Sequence, residues 1–168
     1  MVLPMFVVLA IGGCASVTPP TPPSPPKPAA SAPSPDQRAA VPAALAVERQ
    51  WLQSWFQGTP VLIAQRSDGA LTIEVPREFC FDPGRSEVKP ALAAVLNKVA
   101  ESMRRVPLAR LPWVAAPDDA NGSASLALQR ATQVHKHLRS QGVPAARMGK
   151  PTGTAAAAVQ LRMETAAP

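Results

Sequence analysis

Apolar and polar positions alternate over Leu71-Thr72-Ile73-Glu74-Val75, the period-two signature of a strand with one buried face. Val61-Leu62-Ile63-Ala64 precedes it, and Arg66-Ser67-Asp68-Gly69 puts Asp-Gly between the two apolar runs, which predicts a hairpin. Phe81-Asp82-Pro83-Gly84 then stops the extended run, because proline fixes φ and glycine accepts positive φ. Beyond that turn the period changes. Leu92, Val95, Leu96, Val99 and Met103 fall at helical spacing and form one apolar stripe, ending near Val106-Pro107. Ser86 is the predicted cap of this helix, with Pro90 tolerated in its first turn, where a missing N–H costs nothing.

Leu111 to Ala115 reads as a short extended segment, and a second helix is expected from about Ser123 to Gln141, closed by Gly142 and Pro144. Its buried line is expected at Leu126, Arg130/Ala131, Val134 and Leu138. Ala158 to Glu164 alternates as a half-exposed strand does. Ahead of the hairpin, residues 43–58 predict an amphipathic helix with Leu45, Val47, Trp51, Leu52, Trp55 and Phe56 towards one side and Gly58 as a stop. Trp51 and Trp55 suit three uses: packing on the core, lying on a membrane surface, or binding a partner. The element order predicts an α+β fold, a βαβαβ sandwich of helices on a mixed sheet behind an N-terminal helix and hairpin arm.

The first part of the chain obeys another pattern. Residues 1–13 are apolar, too few to cross a hydrocarbon core, which takes about 20 residues in a helix. The length fits a signal-peptide apolar region, and Ile11-Gly12-Gly13-Cys14 resembles the bacterial lipobox, in which the cysteine thiol accepts a lipid. A buried N-terminal strand with an incidental cysteine is the alternative. No Lys or Arg precedes the apolar run, so the natural start is expected upstream of Met1. Ala15 after the cysteine, where an aspartate would signal retention in the inner membrane, resembles the outer-membrane sorting pattern of Gram-negative lipoproteins. Proline is 21 of 168 residues, and Thr18 to Pro35 is nearly all Pro, Ser, Thr and Ala. Such a tract prefers polyproline II and, at ~3.1 Å per residue, holds a domain some 60 Å from an anchor. Residues 14–42 are therefore expected to be a lipidated tether; a proline-rich ligand for a partner domain is the competing use.

Phe81-Asp82-Pro83-Gly84 after a strand, with a helix opening near Lys89-Pro90, resembles the start of the OmpA-like domain, a periplasmic peptidoglycan-binding module of bacterial envelope proteins. The resemblance covers about residues 70–165 within an expected domain of residues 59–166. Ser123-Ala124-Ser125-Leu126-Ala127-Leu128-Gln129-Arg130-Ala131 is similar to the family's Asn-x-x-Leu-Ser-x-x-Arg-Ala, matching at Leu126, Arg130 and Ala131 and departing at Ser123 and Ala127. Gly142-Val143 to Arg147-Met148 resembles a later Gly-Val-x-x-x-Arg-Ile, and Leu161-Arg162-Met163-Glu164 the closing strand. The Gly-His-Thr-Asp-like turn is replaced by a shorter loop containing Asp118 and Asp119.

The resemblance implies that Arg130 takes the carboxylate of a diaminopimelate side chain in a bidentate fork while Asp118, or Asp119 beside it, takes the ammonium. Read from residue type alone, Arg130 is equally a solvated charge and Asp-Asp-Ala-Asn-Gly an ordinary helix start. Binding of this kind needs no metal or cofactor. His135 and His137 stand two apart on a helix and cannot share a metal as residues four apart can, and no Ser or Cys forms a defensible catalytic set with them. Cys80, between Phe79 and Phe81, reads as a small core side chain. A net charge of +6 suits an anionic partner, but without tyrosines or a basic run a nucleic-acid stacking surface is not expected. The expected partners are peptidoglycan, the outer membrane through Cys14, and, if the glycan site has been lost, a protein of an envelope complex.

Overall fold

The computed structural model describes residues 35–119 and 123–165, with side chains of the first helix from Ala43 onward. Helix α1 spans Pro35–Trp55, strands β1 and β2 span Leu62–Gln65 and Leu71–Pro76, and helix α2 spans Pro90–Arg105. Strand β3 covers Ala109–Pro117, helix α3 Ala124–Ser140, and strands β4 and β5 Pro151–Thr154 and Ala158–Thr165. The sheet order is β1-β2-β5-β3-β4, antiparallel except for the β3–β4 pair.

The alternation read from the sequence is realised. Leu71, Ile73 and Val75 of β2 are buried with Val159, Leu161 and Met163 of β5, and these six pack in one core with Leu92, Leu96, Val99 and Met103 of α2 and Val134 and Leu138 of α3. The hairpin closes as expected, Gly69 donating to the Arg66 carbonyl at 3.0 Å and Arg66 to that of Ala70 at 2.8 Å. Cys80 is fully buried, its thiol against the carbonyls of Val75 and Pro76, and burial pushes its pKa up to about 12. It is an inert core side chain.

Several expectations need correction. Ser86 does not cap α2: the helix opens at Pro90 with Lys89 as its extended N-cap, because the residue before a proline is driven out of the helical region. Leu126 is only half-buried, and Ala127 joins Arg130, Ala131, Val134 and Leu138 on the inner side of α3. The expected cap Ser123 does accept a bond from Leu126 N at 3.2 Å. Strand β4 was not foreseen, since Pro151-Thr152-Gly153-Thr154 carries no apolar alternation. Its glycine answers to packing: a Cβ at Gly153 would come within 2.9 Å of Ala127 Cβ on α3.

Helix α1 begins at Pro35, inside the segment expected to be tether, and its inner side is Leu45, Glu48 and Leu52. Val47 and Trp55 were expected on that side but are exposed, since Val47 lies roughly 200° around the helix from Leu45. The helix is fastened to α2 by a buried carboxylate. Arg105 Nε and Nη2 donate to Glu48 Oε1 and Oε2 at 2.9 and 2.7 Å, and the Ser102 hydroxyl donates to Oε2. Arg105 also stacks on the Trp51 ring at 3.6 Å, and Lys98 on Trp55 at 3.7 Å. The tryptophans thus meet cations of α2. Arg105→Ala should lower stability in urea unfolding by about 2–3 kcal/mol, because it leaves the buried Glu48 carboxyl with the Ser102 hydroxyl alone and no cation. Glu48→Leu with Arg105→Met together should recover much of that loss.

Candidate functional site

The Phe-Asp-Pro-Gly turn, the end of β3 and the first turns of α3 meet at one corner of the domain, and Arg130 is at its centre. The apolar register that buries Ala131, Val134 and Leu138 also turns Arg130 inward, where its side chain is 0% exposed. A buried guanidinium must be hydrogen-bonded, because leaving it bare forfeits several kcal/mol of solvation. Four of its five N–H donors have acceptors within the chain: Nε donates to the Arg85 carbonyl at 2.8 Å, Nη1 to Pro117 at 3.1 Å, and Nη2 to Asp82 at 3.1 Å and to Asp119 Oδ1 at 2.7 Å. The Phe81 ring lies 4.9 Å from its central carbon.

Asp119 completes a second link. Its Oδ2 accepts from the Gly84 N–H at 2.6 Å, so one carboxylate joins the turn before α2 to the guanidinium on α3. Gly84 has φ +70, a backbone conformation that a side chain would strain, and it leaves the amide facing Asp119. The Gly84 N–H and the Arg130 guanidinium together hold the Asp119 carboxyl below its ordinary value of 3.8. Asp118 is half-buried; its carbonyl accepts from Arg77 Nη1 at 3.0 Å, and none of the described residues hydrogen-bonds its carboxylate. Around them, Lys89 pairs with Asp82 at 3.2 Å and Arg85 with Glu87 at 3.1 Å.

The structure pairs Arg130 with Asp119, and Asp118 is the residue before Asp119, its carbonyl held by Arg77. The open bidentate fork expected at Arg130 is not present in this conformation, because the guanidinium faces three backbone carbonyls and one internal carboxylate. Gly84 and Arg77 belong to the corner and were missed. The Asp-Pro-Gly turn marks Gly84 as a conformational device, but nothing in the sequence shows that its N–H is a donor at the site. His137 lies apart, its Nε2 2.8 Å from Asn97 Oδ1, and no group of three metal-ligating side chains forms among the described residues. Cys14 and the signal-like segment lie outside the described residues.

No protein-family model and no curated protein matches the sequence. Solved structures do match. A MotB-like protein from Desulfovibrio vulgaris superposes with a TM-score of 0.61 at 17% identity, covering 78% of this chain and 97% of its own. The periplasmic domain of Helicobacter pylori MotB gives 0.55 at 15% identity, over 66% and 83%. The cell wall anchor of the T6SS from Pseudomonas aeruginosa gives 0.50 at 16%, over 73% and 95%. These likenesses are of fold, and they agree with the OmpA-like α+β architecture expected from the sequence.

Two outcomes follow from the corner's geometry. Arg130→Lys should lower stability by about 2–4 kcal/mol in urea unfolding, since an ammonium cannot reach four acceptors spread around a plane. The depressed Asp119 carboxyl contributes stability that is present above its unfolded value near 3.8 and is lost as pH falls through its lower folded value. The stability difference between wild type and Asp119→Asn should thus be constant around neutrality and shrink only below about pH 4.

Proposed function

We propose that this chain is the wall-binding part of a bacterial outer-membrane lipoprotein. In this reading residues 1–13 are its signal peptide, Cys14 carries the lipid, and the proline-rich segment up to α1 is the periplasmic tether. The domain of residues 59–166 binds peptidoglycan reversibly and so links membrane to wall, without catalysis, metal or cofactor. The observation that carries the reading is the Arg130–Asp119 pair at the junction of β3 and α3, with Asp118 beside it. A diaminopimelate stem ends in a carboxylate and an ammonium, and this corner offers N–H donors from Arg130 and Gly84, with Asp118 one residue before the Asp119 they hold. The shared fold with a structure described as a cell wall anchor supports the same conclusion, as does the net charge of +6 towards an anionic polymer.

One observation favours a second reading, an interaction subunit of an envelope complex that has lost wall binding. A mainly apolar groove of about 500 Å³ lies between the end of α1 and the start of α2, with the exposed rings of Trp55 and Phe79 among its walls.

Co-sedimentation with purified sacculi separates the two. The full-length chain should pellet with sacculi, and Asp118→Ala, a partly exposed position, should reduce the bound fraction about tenfold while leaving the thermal midpoint unchanged. A wild type that stays in the supernatant at all loads would sink the wall-binding reading and turn attention to the Trp55 groove.

A further inference from the structure

Of the four acceptors on Arg130, three are backbone carbonyls of the turn and of β3, fixed by the fold. Asp119 is the one side chain among them, and it is 31% exposed where the guanidinium is wholly covered. Its two oxygens receive two converging donors, Arg130 Nη2 at 2.7 Å and the Gly84 N–H at 2.6 Å. A guanidinium and a backbone amide closing on one carboxylate form an anion seat. We propose that Asp119 is an internal stand-in for the ligand's carboxylate, occupying that seat until a stem peptide displaces it. The inference rests on the stem-peptide reading above and adds to it how the site selects its ligand.

The selection follows from charge. Replacing one carboxylate by another on the same two donors is close to neutral in free energy, so a plain carboxylate gains nothing over Asp119. A zwitterion gains at its other end. Once displaced, the Asp119 carboxylate is free to receive the ligand's ammonium. The Asp82 side chain does not compete for the seat, since it is engaged by Lys89 at 3.2 Å, and Glu87 is engaged by Arg85 at 3.1 Å. Arg130 then contacts the ligand through one N–H, with Gly84 supplying the second bond in place of a bidentate fork.

The decisive variant is Asp119→Ala in the full chain. It empties the seat and leaves a buried, partly unpaired cation, so its thermal midpoint should fall. Acetate should raise that midpoint again, relative to chloride at equal ionic strength, and should leave wild type unmoved. In calorimetric titration, a stem tripeptide ending in diaminopimelate should bind wild type, and its analogue ending in 2-aminopimelate, which lacks only the free ammonium, should not. The analogue should bind Asp119→Ala at least about tenfold more tightly than wild type, the factor expected when one charge-assisted competitor is removed. Should Asp119→Ala not fold, Asp119→Asn keeps the shape with a weaker acceptor and should show the same acetate effect at smaller size. A folded Asp119→Ala or Asp119→Asn that ignores acetate and does not favour the analogue overturns the stand-in. Loss of tripeptide binding in wild type and variants alike, with acetate rescue intact, overturns the stem-peptide reading and keeps the seat.

Discussion

The burial of one guanidinium constrains this corner of the fold more than any other contact. Arg130 cannot sit at zero exposure unless its N–H groups are met, and the groups that meet them come from two separate stretches of chain. Asp82 and Arg85 belong to the turn before α2, Pro117 to the end of β3, and Asp119 to the loop after it. A second guanidinium repeats the device at the other end of the same two elements. Arg147 donates to the carbonyls of Met103 and Val106 where α2 ends, and to Ala109 where β3 begins, each at 2.8 Å. Helix α2 and strand β3 are thus clamped at both ends by arginines reading backbone oxygens. Lysine cannot substitute for that, because it has no planar set of donors.

The two clamps differ in what they show to solvent. The clamp at Arg147 uses backbone partners together with a weak contact to the Met103 sulfur, and it has no counter-ion among the described residues. The clamp at Arg130 includes one carboxylate that reaches the surface. A charge buried for structural reasons therefore shows the outside a single carboxylate partner, the one that the proposed site would exchange for a ligand. Helix α1 is attached by other means, a bidentate pair between Glu48 and Arg105 and two cation–ring contacts, so it can be perturbed without touching the corner.

Much of this was legible in the sequence, for physical reasons that differ by element. Strands β2 and β5 alternate because one face is buried, and the stripes of α2 and α3 repeat because each helix has one inner side. The Asp68-Gly69 hairpin and the Ser123 cap declare themselves through turn and cap chemistry. Strand β4 did not, since its four residues are chosen for close approach to α3 and carry no pattern. The Ser86 cap fails because Pro90 drives Lys89 out of the helical region, so α2 opens at Pro90 itself. Arg130 was found by its helical position and its resemblance to a known motif, and the helical line turned Arg130 or Ala131 inward, but what would meet its donors was invisible. Its main partners are carbonyl oxygens, which every residue has and no sequence marks.

The most direct measurement is a titration of the full chain with the diaminopimelate stem tripeptide, followed by ¹H–¹⁵N correlation spectra. The Gly84 and Asp119 amides and the Arg130 Nε–H should shift together and saturate with one dissociation constant, while the Arg147 Nε–H stays still. Unmoved signals at Gly84, Asp119 and Arg130 in saturating tripeptide would contradict the proposal that this corner holds the wall.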